Sequence, residues 1–358
     1  MKYWRGYLTA AIIAACTWGL REFAKAHSAL VDMIYPYATR MVQSFLAEWS
    51  AGVDGCLWQI LLVVLLALVA LTVVLMVIFK WNPIQWFGWV CAAVAVVFLL
   101  NTGMYELNVF AGPIAEDVHL KETDYTVTEL KNAAEYYRDL ANELADQVQR
   151  DSSGDVVFDD FDTLAAKAQN GFDVLVYDRS MPVFAGPSVP VKKLGWEGWF
   201  TARGMTGLTV GLTGESAVNP EAPAILLPFA MCREMTYRVC IVAPRDATFG
   251  AWLACDANGD VQFRYSGMVM AYRYCLKALE ELDEVTGATN AASVAALENS
   301  GLTHDMAVCD AFIGDGENNA AKACDLLVSW HIQKVVIPSQ VVEEDPFDPL
   351  DKEQVDLD

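Results

Sequence analysis

The chain has 358 residues, 54% of them hydrophobic, with a mean hydropathy of +0.27 and a formal net charge of −22. These figures exclude an ordinary soluble domain, which is less apolar. They also exclude a nucleic-acid binder, because so acidic a surface repels phosphate.

The apolar residues are concentrated at the start. Gly6 to Leu20 holds 15 uncharged residues between Arg5 and Arg21. Its length fits a short first membrane span or a signal-peptide core, and Ile13-Ala14-Ala15-Cys16 resembles a lipoprotein cleavage site. The reading adopted is an uncleaved span with its N-terminus cytoplasmic, because Lys2 and Arg5 precede it. Residues 21–55 carry Phe23, Leu30, Ile34, Met41, Phe45 and Trp49 among polar residues. This predicts an amphipathic helical hairpin broken near Pro36, lying on the membrane surface or packed on the following domain. Leu57 to Phe79 is a 23-residue run without charge, long enough to span a bilayer. Trp81 to Tyr105 is a second uncharged run. Spans at about 6–20, 57–79 and 84–102 make residues 1–102 a three-span anchor.

Six Lys/Arg and four Asp/Glu precede Gly103, which leaves 18 basic and 42 acidic residues after it. Three crossings put 103–342 outside the cell membrane. The fold class expected is thus a multi-pass membrane protein bearing a mainly helical α+β extracytoplasmic domain.

Within that domain, Thr126 and Glu129 form a T-x-x-E capping box, followed by apolar residues at helical spacing to Val148. Asp160 to Gln169 reads as a helix stopped by Asn170-Gly171. Val183 to Val218 is rich in Gly, Pro and β-formers, so short strands and turns are expected. Pro228 opens a central helix. Further helices are expected from Arg245, over Gly267–Leu282, and through 291–330. The tail from Glu343 has eight acids and one Lys and reads as disordered. Six cysteines fall in the domain. Cys255 with Cys275, or Cys309 with Cys324, are candidate disulfides, against a reading as buried thiols. Asp256 to Asp260 has the flavour of a calcium loop but lacks its closing Glu, and reads as a turn.

The chemistry centres on Thr213 to Cys275. Zinc peptidases carry H-E-x-x-H on a helix, two imidazoles on one face and a Glu as general base. Here the five positions are Arg233, Glu234, Met235, Thr236 and Tyr237. Thr213-Gly214-Glu215-Ser216-Ala217-Val218-Asn219, Leu227-Pro228-Phe229 with Arg233 to Arg238, Asp246-Ala247-Thr248-Phe249 and Tyr265-Ser266-Gly267 follow in order. These blocks resemble a family of bacterial multi-pass membrane proteins known only as a domain of unknown function, with a zincin-like, gluzincin-type ectodomain. The family pattern runs T-G-E-A-x-V-N, L-P-F-x-x-A-H-E-L-A-H-Q, E-x-E-A-N-F, Y-S-G. The resemblance implies that the metal-binding positions fall on Arg233, Tyr237 and Asp246, and the general base on Glu234.

The residues here depart from that chemistry. Arg has no lone pair to donate, and Tyr oxygen must first lose a proton. A Cys240–Asp246 site would lack the third ligand that catalytic zinc needs. No metal or other cofactor is therefore expected, although zinc is expected in the family. Glu234 becomes a vestigial base, and Arg233 is expected to fill the cation position and pair with Asp246. The plainer alternative makes Glu234 and Arg238 an i,i+4 surface pair. By fold analogy, Thr213, Gly214, Glu215 and Asn219 would form the edge of an old substrate cleft, taking a peptide by β-addition.

The function expected is a membrane-anchored, catalytically inactive metallopeptidase homologue that binds a peptide or an envelope protein. The alternatives are an active membrane metallopeptidase with atypical ligands and a structural envelope protein. The expected partners are the lipid bilayer and such a peptide or protein, and not nucleic acid.

Overall fold

A computed structural model describes residues 4–314 and 323–338. The acidic segment from Glu343 lies outside the described residues. Four long helices come first: α1 (Arg5–Ala26), α2 (Ser28–Ala51), α3 (Leu57–Ile78) and α4 (Pro83–Met104). Of these, α3 and α4 are long and apolar enough to cross a membrane. At 22 residues each they are about 33 Å long, near the thickness of a bilayer core. The expected first span, 6–20, is part of the longer and less apolar α1.

Helix α1 runs parallel to α4. Near their N-termini the backbones almost touch, and a Cβ on Gly6 would sit 2.4 Å from the Gly88 carbonyl carbon. At the other end Arg21 pairs with Glu106, just past α4. The C-terminal ends of α1 and α4 and the N-terminal end of α3 therefore all meet the globular part.

The expected hairpin at 21–55 is not formed. The break falls at His27, and α2 runs unbroken through Pro36. An interior Pro removes one helical hydrogen bond, at a cost of about 3 kcal/mol. Packing on both sides of the defect offsets it: Thr39 Oγ1 donates to Tyr35 O (2.9 Å), and Asp32 Oδ1 accepts from Gly112 N (2.7 Å).

The globular part is helical around a small sheet. A short α5 (Ile114–Asp117) leads to α6 (Val127–Ala145), whose capping box is realised in both directions. Glu129 N donates to Thr126 Oγ1 (3.2 Å) and Thr126 N to Glu129 Oε2 (2.7 Å). Helix α7 (Phe161–Asp173) runs through Asn170-Gly171 instead of stopping there. Gly171 is a crossing point, where a Cβ would lie 2.1 Å from Ala254 O. Next come β1 (Lys192–Lys193), α8 (Glu197–Thr201), β2 (Gly207–Val210) and β3 (Glu215–Val218). Then follow α9 (Leu227–Arg238), α10 (Pro244–Ala257), α11 (Val261–Thr286), α12 (Asn290–Ala295), α13 (Ser300–Ile313) and α14 (Ala323–His331).

The main core lies among α6, α7, α9, α10, α11 and α14. Tyr137, Trp252, Phe249 and Trp330 stack through its centre. Two smaller apolar clusters seat the N-terminal helices. Cys56, Leu194, Phe200 and Ala217 hold the start of α3, and Ala24, Val31 and Leu107 join α1, α2 and the segment after α4. Neither candidate disulfide pairing is formed. Cys275 Sγ instead lies 3.7 Å from Cys324 Sγ, as free thiols.

Candidate functional site

The sheet order is β1-β3-β2, with β1 parallel and β2 antiparallel to β3. Strand β3 is thus the centre, paired on both sides, so the 213–219 block is not a free cleft edge. Its residues do other work. Thr213 and Gly214 close the β2–β3 turn by donating backbone N–H groups to Val210 O (3.1 and 2.9 Å). Gly214 has φ +67°, and a Cβ there would lie 2.7 Å from Ala47 N and Leu46 Cβ of α2. A side chain at that position is excluded by both strain and space. Asn219 is buried and donates Nδ2 to Thr201 Oγ1 (2.9 Å) and Met205 O (3.2 Å), which pins the loop after α8.

Glu215 points from β3 to the start of α3. Its carboxylate accepts from Leu57 N (2.8 Å) and Trp58 N (2.9 Å). The first N–H groups of a helix have no partner within the helix and carry its positive end. Glu215 thereby caps a membrane-length helix from 157–158 residues away in sequence. Lys192 Nζ completes the junction. It donates to Glu215 Oε1 (2.8 Å) and to the carbonyls of Ser50, Val53 and Gly55 (2.7–3.0 Å). Across the same junction Gln59 and Gly195 exchange two hydrogen bonds.

Glu234 lies on the other side of β3, in the middle of α9. It is 2% exposed. Its Oε2 accepts from Thr209 Oγ1 (2.8 Å), and Arg233 Nε lies 3.7 Å from Oε1. Ser216 Oγ donates to Glu234 O (2.8 Å). Gly207 leaves the space: a Cβ there would be 2.6 Å from Glu234 Cγ. Burial pushes the Glu234 carboxyl above its ordinary value, against the opposing pull of Arg233 and Thr209. Thr209 and Gly207 are site residues that motif reading missed, and Ser216 stood in a motif block without a role. Their only signal is that β2 and β3 flank the motif helix.

Arg233 also donates to Thr206 Oγ1 (2.6 Å). It does not meet Asp246, so the expected pairing is overturned. Asp246 Oδ1 accepts from Arg245 Nε (3.0 Å) and Oδ2 from Ile114 N (3.1 Å). Arg245, the preceding residue, is the nearer cation and also grips Glu122 (2.7 and 2.9 Å). The alternative Glu234–Arg238 surface pair fails too, because both side chains are buried. Arg238 donates to Pro187 O at 3.4 Å, and its Nε has no hydrogen-bond partner among the described residues. Burial pulls its guanidinium down to about 10. Tyr237 presents its carbonyl to Tyr105 Oη (2.9 Å), which ties the end of α4 to the end of α9.

Asp246 and Cys240 share a cavity of about 140 Å³ with Asp32, Arg40 and Asp117. Burial pushes the Cys240 thiol up to about 11, away from the thiolate that zinc takes. Among the described residues no three of His, Cys, Asp and Glu converge as a metal ligand set. The motif positions thus do not fit zinc: one cation without a lone pair, one phenol, and one carboxylate already bonded twice. A larger cavity of about 380 Å³ opens beside β2, between Thr209, Gly211, Arg21, Asn101, Tyr105 and Val242. It sits where α1 and α4 reach the globular part, next to the hydroxyl that holds Glu234.

Searches of curated proteins and of solved structures found no significant match. One family does match, and it covers most of the chain: residues 31–327 fit the family described as Protein of unknown function (DUF3810), and the chain belongs to that family.

Proposed function

We propose that this chain is a membrane-anchored, non-catalytic relative of the zinc peptidases, which binds a peptide or an envelope protein in the cavity beside β2. The observation that carries this is Glu234. A general base must reach a water that a metal has polarised. Glu234 is sealed under β2, bonded to Thr209 and faced by Arg233. Arg233 and Tyr237 occupy the two positions, one helical turn apart, where imidazoles would stand. The zincin ancestry of this helix rests on that motif and on its neighbouring blocks.

The anchor reading extends the two membrane-length helices to three. Helix α1 also has 22 residues and lies parallel to α4. Arg5 and Lys80 lie at the ends remote from the globular part, and the positive-inside rule supports a cytoplasmic place for those ends and an outside place for the acidic domain.

The experiment is to restore the missing ligands. Arg233→His with Tyr237→His places two imidazoles at i and i+4 beside Glu234. The full chain in detergent should then gain stoichiometric zinc by elemental mass spectrometry. No gain in a folded double variant contradicts the zincin ancestry of the site.

A further inference from the structure

Helix α2 is amphipathic in an inverted sense. Its small and polar face is buried, and its large apolar face is bare. Thr39, Gln43, Ala47 and Ser50 face the globular part. Gln43 Nε2 donates to Gly211 O (2.8 Å) and Met104 O (3.3 Å), Tyr35 Oη to Thr102 O (3.0 Å), and Arg40 Nε to Val239 O (3.2 Å). On the opposite face Met33, Ile34, Tyr37, Met41, Phe45 and Trp49 are 53–75% exposed. Five of these six recur at four-residue steps, so they form one stripe along nearly the whole helix. Glu48, in the last turn, is exposed beside that stripe, and the Arg40 guanidinium lies 5.8 Å from the Tyr37 ring centroid at its edge.

A contiguous apolar stripe of this size on a water-soluble surface marks an interaction site. Its position names the occupant. One residue, His27, separates α2 from α1, and five residues separate it from α3. Those five are fastened by Lys192 and Glu215 at the first turn of α3. Tyr35 and Gln43 bond to carbonyls in the last turn of α4. Both ends of α2, and its middle, are thus fixed at the level where the membrane-length helices begin and end.

We propose that α2 lies in the membrane plane, its Met33–Trp49 stripe sunk into the headgroup–acyl boundary of the leaflet on the side of the globular part. Tyr37 and Trp49 suit that depth, where aromatic rings with a polar tip accumulate. The helix then serves as a sled. Its buried face carries the globular part through Arg40 and Gln43, and its apolar face sets that part flat on the lipid. The cavity beside β2 is thereby held at the lipid surface, since Gln43 bonds to Gly211 in its wall. This proposal rests on the reading that α3 and α4 cross the bilayer.

The test is collisional accessibility of a nitroxide on the full chain in nanodiscs of phosphatidylethanolamine and phosphatidylglycerol. Cys16 and Cys91 are replaced first, since the other seven cysteines are buried. Labels go at Met41→Cys and, independently, at Phe45→Cys. Leu68→Cys in the middle of α3 is the lipid reference, and Val285→Cys, 86% exposed at the end of α11, is the water reference. The expected result is an oxygen-to-nickel-chelate collision ratio at both α2 sites severalfold above Val285 and below Leu68. A ratio equal to that at Val285, with Leu68 in lipid, overturns this proposal and leaves the anchor reading standing. Low collision with both reagents, with spin–spin broadening that vanishes on dilution with unlabelled protein, assigns the stripe to a second copy and also overturns it. A water-exposed Leu68 overturns the anchor reading and this proposal together.

Discussion

Two glutamates are buried within one small sheet and its helix, and they are treated in opposite ways. Glu215 receives two helix N–H groups and a lysine, so nearly every lone pair of its carboxylate is used. Glu234 receives one hydroxyl and faces the Arg233 guanidinium at 3.7 Å, and burial raises its carboxyl above the ordinary value. A buried charge stabilises only when it is fully paired and hydrogen-bonded. The first carboxylate is therefore a fastener between the globular part and the start of α3. The second is a cost retained inside a helix that otherwise packs as core.

The largest effect should come from breaking the fastener. Glu215→Ala leaves two helix N–H groups without an acceptor and takes the carboxylate from Lys192, which keeps its three carbonyl partners; each buried donor left unsatisfied costs about 1–3 kcal/mol. Thermal unfolding of the full chain in detergent should fall accordingly, with early proteolysis of the loop before α3. An unchanged melting temperature would remove Glu215 from its role. Gly214→Ala probes the same junction without touching charge. A Cβ at φ +67° against the α2 backbone should cost about 1–3 kcal/mol, read by denaturant titration.

On the other side of the comparison the sign reverses. Arg238 is a buried cation whose one hydrogen bond is long. Arg238→Met should be neutral or stabilise by roughly 1 kcal/mol, since apolar replacement of buried charge often does so. A loss of several kcal/mol would mean that this charge has a role that its carbonyl contact does not explain. Glu234→Gln should have the smallest effect, visible mainly against pH. The folded chain holds the Glu234 proton more tightly than the unfolded chain, so stability declines as pH rises from about 4.5 through the raised folded value. The glutamine variant should lack that part of the decline. Parallel pH profiles for the two proteins would contradict the assignment.

The sequence shows the membrane-length runs, the capping box at Thr126 and the helix opened by Pro228, because each is a local pattern of periodicity, cap or apolar length. It also brings Glu234 and its neighbouring blocks into view as a motif. What it hides is long-range. The partners of Glu215 lie at Leu57 and Trp58, and no local pattern links a strand in the domain to the first turn of a membrane-length helix. Asp246 has two candidate cations, and only packing shows that adjacent Arg245 takes it instead of Arg233. Asn170-Gly171 reads as a stop, yet α7 continues because the glycine is needed for crossing α10. Pro36 reads as a break, yet α2 stays helical through it, with bonds to Thr102, Met104 and Gly112 on either side. At Gly171 and Pro36 tertiary contact overrides a local preference worth a few kcal/mol or less.

If Arg233 and Tyr237 have displaced metal chemistry from this helix, the purified chain carries no zinc. The most direct measurement is the zinc content of the purified full-length chain, by elemental mass spectrometry, before and after incubation with zinc and desalting. The expected result is near-zero zinc in both samples from a folded protein. Stoichiometric zinc, lost in Asp246→Ala, would contradict the account and return the peptidase reading to first place.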